Sequence, residues 1–422
     1  MEEAIVEGDG GASVFKGVGT PVSLSAITTA PARKIPTGMS EMDQMMGGGI
    51  VAGAVSLLGG EPGIGKSTLG LQIGKNIAQQ GLKVLYVSGE ESPQQIALRA
   101  QRLSAQLDQL FVLAETNMAN ILNTIQQEKP DLVILDSIQV VEHPKINSSA
   151  GSVNQVRYCA GELINLIKQF SSTAIIIGHI TKDGMLAGPK VLEHLVDVIL
   201  YFEGDRNQQY RVLRSFKNRF HHTNEIGIFE MKSTGLEAVE NPSLLFVDPV
   251  SLNRPGSVIF PSVEGTRSVL IEIQSLAVSS SFGNAKRNFL GVDPARATLV
   301  IATMEKVLGL RLGVKDIFVN VIGGLKLKEP ASDMAILVSL LGAIKGEVLH
   351  SKLGVMGEIG LTGEVRPVPN VDVRLRELDR MGFEYAIVPE RNSAAIPKGL
   401  KVKVKLVSHL SDLIVAVSTI KS

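Results

Sequence analysis

The run GGEPGIGKST at residues 59–68 constrains this chain more than any other stretch. It satisfies G-x-x-x-x-G-K-[ST] through Gly60, Gly65, Lys66 and Ser67, and it stands between the apolar run AVSLLG and a segment with helical periodicity. Glycines at those positions let successive backbone N–H groups wrap a phosphate. A helix starting at the lysine adds its positive end, the lysine reaches the terminal phosphates and the serine ligates magnesium. The motif works only where a strand hands over to a helix, so it predicts an α/β fold with a P-loop. Gly60, Glu61, Pro62, Gly63, Ile64, Gly65, Lys66, Ser67 and Thr68 are expected to enclose a nucleoside triphosphate, with Ser67 on Mg2+.

Apolar runs continue the same theme: AVSLLG, KVLYVS, QLFVLA, DLVILD, TAIIIG and VDVILYF alternate with helix-length segments from about residue 54 to 202. Continuous apolar strands separated by helices read as a mostly parallel sheet covered on both faces. QYRVLRSF and IGIFEM look like an antiparallel extension, which makes SFKNRFHHTNEIG between them a hairpin. A chain of 422 residues exceeds the usual size of one core. Proline and glycine in PVSLNRPG punctuate it near residue 256. The expected organisation is a flexible leader over 1–30, an α/β nucleotide domain over 31–255 and a second α+β domain over 256–422. That last domain carries strands such as SVLIEIQSLAV and DIFVNVIGG, and helices near 294–310, 331–344 and 371–381.

Formal net charge is zero, with 42 basic and 42 acidic residues, so any polyanion must be met by a local patch. Cys159 is the only cysteine, which excludes an intrachain disulfide and a cysteine-cluster zinc site and suits a reducing cytoplasm. The longest apolar stretch, IVAGAVSLL, is too short to span a bilayer. The start, MEEAIVEGDGGASVFKG, has neither the basic region nor the apolar core of a signal peptide.

Further candidates follow from strand ends. DLVILDS ends an apolar strand in Asp136, the carboxylate expected beside a magnesium ion. YVSGEES places Glu90 and Glu91 beyond the strand after the P-loop helix, where a carboxylate can orient or deprotonate water. Glu90 is the preferred base; Glu91 serves equally well as an acid opening the next helix. IIIGHITKDG delivers His179 to another strand end, either as a sensor of the γ-phosphate or as a satisfied structural residue. In the hairpin, Lys217 and Arg219 alternate and so share a face. They are either solvated tip residues or cationic fingers supplied in trans to transition-state charge. His221 and His222 are adjacent on an extended segment, facing opposite sides, which disfavours a metal site.

In order along nearly the whole chain, IPTGMSEMDQMMGGGIVAGAVSLLGGEPGIGKSTL, YVSGEES, LVILDSIQ, GHITKDGMLAGPKVLEHLVD, FKNRF, TNEIGIFEM and GEIGLTGEVRPV resemble the bacterial RadA (Sms) family of RecA-like DNA repair and recombination ATPases. The resemblance implies a RecA-like core followed by a Lon-protease-like domain, and a homo-hexameric ring that hydrolyses ATP with Mg2+. It also implies branch migration of recombination intermediates on single-stranded and branched DNA, with a recombinase as protein partner. It assigns Lys217 and Arg219 to the family's K-N-R-F-G signature, in DNA handling and at a neighbour's nucleotide, and makes Lys182 and Lys190 candidate phosphate contacts in a pore-facing loop. Two departures stand out. His221 occupies the signature's glycine, and the four-cysteine zinc finger with which family members usually begin has no counterpart before Cys159.

The Lon resemblance raises a Ser-Lys protease as a rival. Aligned through Ile336, KEPASDMAI puts Asp333 where the nucleophile belongs, with Ser332 one position off, and RPVPNVDVRLREL puts Asp372 where the lysine belongs. Neither nucleophile nor activator is present, so proteolysis is not expected. A RecA-like ATPase acting on a protein partner is the remaining alternative.

Overall fold

The computed structural model describes residues 33–103, 108–179, 189–204, 210–223, 225–239, 241–248, 250–280, 285–324 and 326–420. The chain divides into two compact units. One holds the described residues up to Phe202 together with Ser215–His221 and Lys232–Leu236; the other holds Glu203–Arg214, His222–Met231 and the chain from Glu237 onward. Among the described residues no helix is long and apolar enough to cross a membrane.

The first unit is built on β1 (Val55–Gly60), β2 (Val84–Ser88), β3 (Leu110–Ala114), β4 (Leu132–Asp136), β5 (Thr173–His179) and β6 (Val198–Glu203). Every pair that β1 to β6 form among themselves is parallel. These six take the order β6-β1-β5-β4-β2-β3, and β7 (Tyr210–Asn218) and β8 (Ile226–Lys232) pair antiparallel, followed by β9 (Gly235–Ala238). β2 and β4 are buried at every residue, as strands covered on both faces must be. Helix α1 (Lys66–Gln79) lies close on the sheet through glycines: a Cβ at Gly70 would come within 3.0 Å of Ile177, and one at Gly74 within 3.1 Å of Ile134. Helix α2 (Pro93–Arg102) starts with a Ser92–Gln95 capping box, and α3 (Met118–Glu128) is capped by Asn117. Helix α4 (Val153–Phe170) buries Val156, Cys159, Ala160, Leu163, Ile164 and Ile167 along one stripe. Burial pushes the Cys159 thiol up to about 12, so that side chain is core material and not a nucleophile.

In the second unit β10 (Ser257–Glu264) and β11 (Arg267–Ser279) form a hairpin. They are joined by β12 (Arg287–Leu290), β13 (Lys315–Val321), β14 (Leu353–Val355), β15 (Tyr385–Pro389) and β16 (Lys403–Val407) in the order β12-β13-β11-β10-β14-β15-β16. Helices α5 (Pro294–Leu308), α6 (Asp333–Lys345), α7 (Val371–Arg380) and α8 (Leu410–Thr419) complete it. Helix α6 is buried continuously from Asp333 to Gly342, which explains its all-round apolar sequence. Proline and glycine at 255–256 predict a boundary there. In the structure residues from Glu237 group with the second unit, because Phe246 and Leu252 are buried in its core. Phe246 packs over Gly323, where φ is +82° and a Cβ would meet the ring at 2.2 Å.

Candidate nucleotide site

Sheet register gathers the strand ends. Gly60 pairs with His179, Asp136 with Ile177, and Ser88 with Asp136, so β1, β5, β4 and β2 release their chains side by side at one carboxyl edge. Open α/β sheets bind ligands at such an edge. Beyond β1 the loop turns through Gly63 (φ 77°) and Gly65 (φ 116°), conformations that only glycine adopts without strain. Lys66 then opens α1, and no side chain caps the helix start, so its first N–H groups face the loop. Ile64 belongs to the loop through its backbone alone, its side chain being buried. A nucleoside triphosphate fits this cradle: no side chain caps the helix start, two glycines let the loop turn tightly, and Lys66 Nζ meets stand-in acceptors, the carbonyls of Gly60 (2.8 Å) and Glu61 (2.9 Å).

Lys66 also joins a polar network. Its Nζ lies 3.0 Å from His179 Nδ1; the other imidazole nitrogen stands 3.6 Å from Glu90 Oε1. Ser137 Oγ donates to the same Glu90 oxygen at 2.7 Å, and Gln139 Nε2 donates to the His179 carbonyl at 3.3 Å. Tyr86 OH donates to Asp136 Oδ2 at 2.5 Å. Burial, with the Asp136 carboxylate beside it, pushes the Tyr86 hydroxyl far above the ordinary phenol range, so it remains a donor. Glu91 pairs with Arg99 on α2 while its backbone N–H donates to Ser88 Oγ, so of the two neighbouring acids it is Glu90 whose carboxylate meets Ser137 and His179. Sequence reasoning does not reach Tyr86, Ser137 or Gln139. A phenol among the valines and leucine of β2 is the one available signal, since a buried hydroxyl requires a partner.

Lys217 and Arg219 lie elsewhere. Lys217 Nζ donates to the carbonyls of Glu193 (2.6 Å) and Val196 (2.9 Å), and burial and the Arg219 charge lower its pKa. Arg219 Nη1 donates to Asp197 Oδ1 at 3.0 Å, while Asp197 Oδ2 accepts from the N–H of Val55, the first residue of β1. The P-loop leaves the other end of β1. At 3.3 Å per residue, the six-residue strand separates the two by roughly 17 Å. Neither cation can act at its own protomer's P-loop. Lys190 falls in the short helix Pro189–Leu192, and Lys182 lies outside the described residues.

Comparison with known proteins adds the family. Residues 21–185 match the AAA domain and residues 296–392 match subunit ChlI of Mg-chelatase. DNA repair protein RadA of Listeria monocytogenes is 44% identical over 95% of this chain and 89% of its own length. RadA of Halalkalibacterium halodurans is 46% identical over 92% and 85%, and that of Bacillus subtilis 44% over 90% and 84%. The chain belongs to the RadA family. A solved KaiC-like protein from Pyrococcus horikoshii OT3 aligns over 50% of this chain and 100% of its own at 18% identity, with a TM-score of 0.42. With the P-loop described above, membership makes the chain an ATP-binding P-loop ATPase.

Against the K-N-R-F-G pattern expected from the RadA resemblance, His221 keeps ordinary backbone geometry: it is absent from the non-glycine residues with positive φ. Its ring lies over Gly47, where a Cβ would come within 2.8 Å of it. The loop therefore accepts histidine because Gly47 leaves the space. Asp333, in the position of a Lon-type nucleophile, is buried and takes a bidentate pair from Arg296 at 2.7 Å on each oxygen, plus the Ile359 N–H at 3.1 Å. Ser332 donates to the Glu329 carbonyl, and Asp372 is exposed.

Proposed function

We propose that this chain is a DNA-dependent ATPase of DNA repair and homologous recombination. It works as a homo-hexameric ring on single-stranded DNA, promotes branch migration of recombination intermediates, and cooperates with a recombinase. The family supports the repair role, through relatives named DNA repair protein RadA. One observation supports an assembly: Lys217 and Arg219 stand at the end of the sheet opposite their own P-loop, so a finger role is open to them only in a neighbour's site. The Arg219 side chain is 50% exposed while Asp197 is buried, so Arg219 can leave for a neighbour's nucleotide because Asp197 retains the Val55 N–H and Lys168 Nζ, which stands 3.7 Å from the same carboxylate oxygen.

Within one site, Lys66 exchanges its carbonyl and imidazole partners for the terminal phosphates, Ser67 and Asp136 hold the magnesium position, and Tyr86 fixes Asp136. Glu90 orients water and takes its proton; His179, between Lys66 and Glu90, reports whether a γ-phosphate is present. Bound MgATP supplies the electrophilic phosphorus and the charge these side chains meet. Lys182 and Lys190 contact DNA phosphates, and the second unit, with Asp333 and Asp372 in place of a serine and a lysine, is an assembly scaffold.

The test is ATPase rate with and without single-stranded DNA at low salt, together with native mass. Several-fold stimulation in a particle of six chains is expected. Indifference to DNA would favour the protein-directed alternative, and a monomeric active enzyme would remove the ring.

A further inference from the structure

We infer that Ser137 is a positioning residue for ATP hydrolysis, holding the Glu90 carboxylate toward the P-loop. The inference rests on the reading of Glu90 as the group that orients water. Ser137 directly follows β4 and is fully buried. Register places Ser88 of β2 opposite Asp136 of β4, so the residue one step past β4 meets the residue two steps past β2. There Ser137 Oγ donates to Glu90 Oε1 at 2.7 Å. The two partners differ in freedom. Ser137 is locked in the core, whereas the Glu90 side chain is 47% exposed, and among the described residues its carboxylate takes no other hydrogen bond.

A hydrogen bond whose acceptor is half in water adds little to stability. What it does is choose an orientation for a carboxylate that otherwise rotates freely, through a hydroxyl that burial already holds in place. Without that hydroxyl the nearest partner of Glu90 Oε1 is His179 Nε2 at 3.6 Å, and His179 Nδ1 is itself 3.0 Å from Lys66. Glu90 would then be drawn onto the imidazole and toward the lysine, away from the space where water must stand. Ser137 thus keeps the acid and the lysine apart while leaving both at one sheet edge.

The test uses the full-length assembly and single-turnover ATP hydrolysis, which resolves slow rates, with fluorescent ADP binding as a check on the nucleotide cradle. Ser137→Ala is expected to lower kcat roughly ten- to a hundredfold, the scale on which misorienting a reacting group acts, with KM and ADP affinity little changed. Ser137→Thr, which keeps a hydroxyl on an extended backbone that suits a β-branched side chain, is expected to recover most of the rate. In a Glu90→Gln background, Ser137→Ala is expected to cost nothing further, because its effect runs through Glu90. An unchanged kcat in Ser137→Ala, or an equal extra loss in the Glu90→Gln background, would overturn the inference. Wild-type hydrolysis by Glu90→Gln would instead overturn the role of Glu90 itself.

Discussion

Tyr86 shows how one hydroxyl in a buried strand serves a strand end two residues farther along the neighbouring strand. β2 and β4 pair Tyr86 with Ile134, and the phenol spans the diagonal to Asp136. A buried phenol with a raised pKa donates and never repels, so it holds the carboxylate without competing for its charge. Tyr86→Phe removes that donor and leaves the ring in place. The Mg2+ concentration for half-maximal ATPase is expected to rise several-fold, with stability falling by about 1 kcal/mol. A magnesium titration beside thermal unfolding measures both, and an unaltered magnesium requirement would detach Asp136 from the metal position. The sequence showed Asp136, Lys66 and His179 as strand-end or motif residues, because those signals are local. It did not show Tyr86 or Ser137, because their partners are set by the register of two strands some fifty positions apart.

At the scale of elements, Asp333 ties α6 to α5: it is the first residue of α6, Arg296 lies in the first turn of α5, and the N–H of Ile359 completes the link. Burial holds the Asp333 carboxyl up at about 6 against the pull of Arg296 and of that N–H. The folded chain therefore keeps a proton that the unfolded chain gives up near its ordinary value of 3.8. This contribution to stability is whole below about pH 4, is lost as pH rises, and is gone above about 6. Asp333→Asn should flatten the dependence of the second unit's unfolding midpoint on pH between those limits. A slope identical to that of the parent would assign it to another group. The same helix was visible in the sequence as an apolar run; that its leading acid is clamped by a neighbouring helix was not, since Arg296 lies thirty-seven positions away.

For the whole molecule, alternating apolar runs and one glycine-rich loop made the α/β core legible, because parallel strands buried on both faces leave a continuous apolar trace. The cationic hairpin was visible as composition, but its distance from its own P-loop was not, for that depends on which end of β1 receives Asp197. On the proposed reading this placement puts Arg219 to work across an interface, since a head-to-tail contact would present one protomer's Arg219 to the next protomer's Lys66 and Glu90. The most direct test mixes Arg219→Ala and Glu90→Gln, each expected to be inactive alone, under conditions where subunits exchange. If the site is shared, mixed rings regain ATP turnover, with about a quarter of the interfaces whole under random mixing. If mixed assemblies, verified by mass, stay as inactive as either parent, or if Arg219→Ala alone turns over ATP normally, the shared site does not exist.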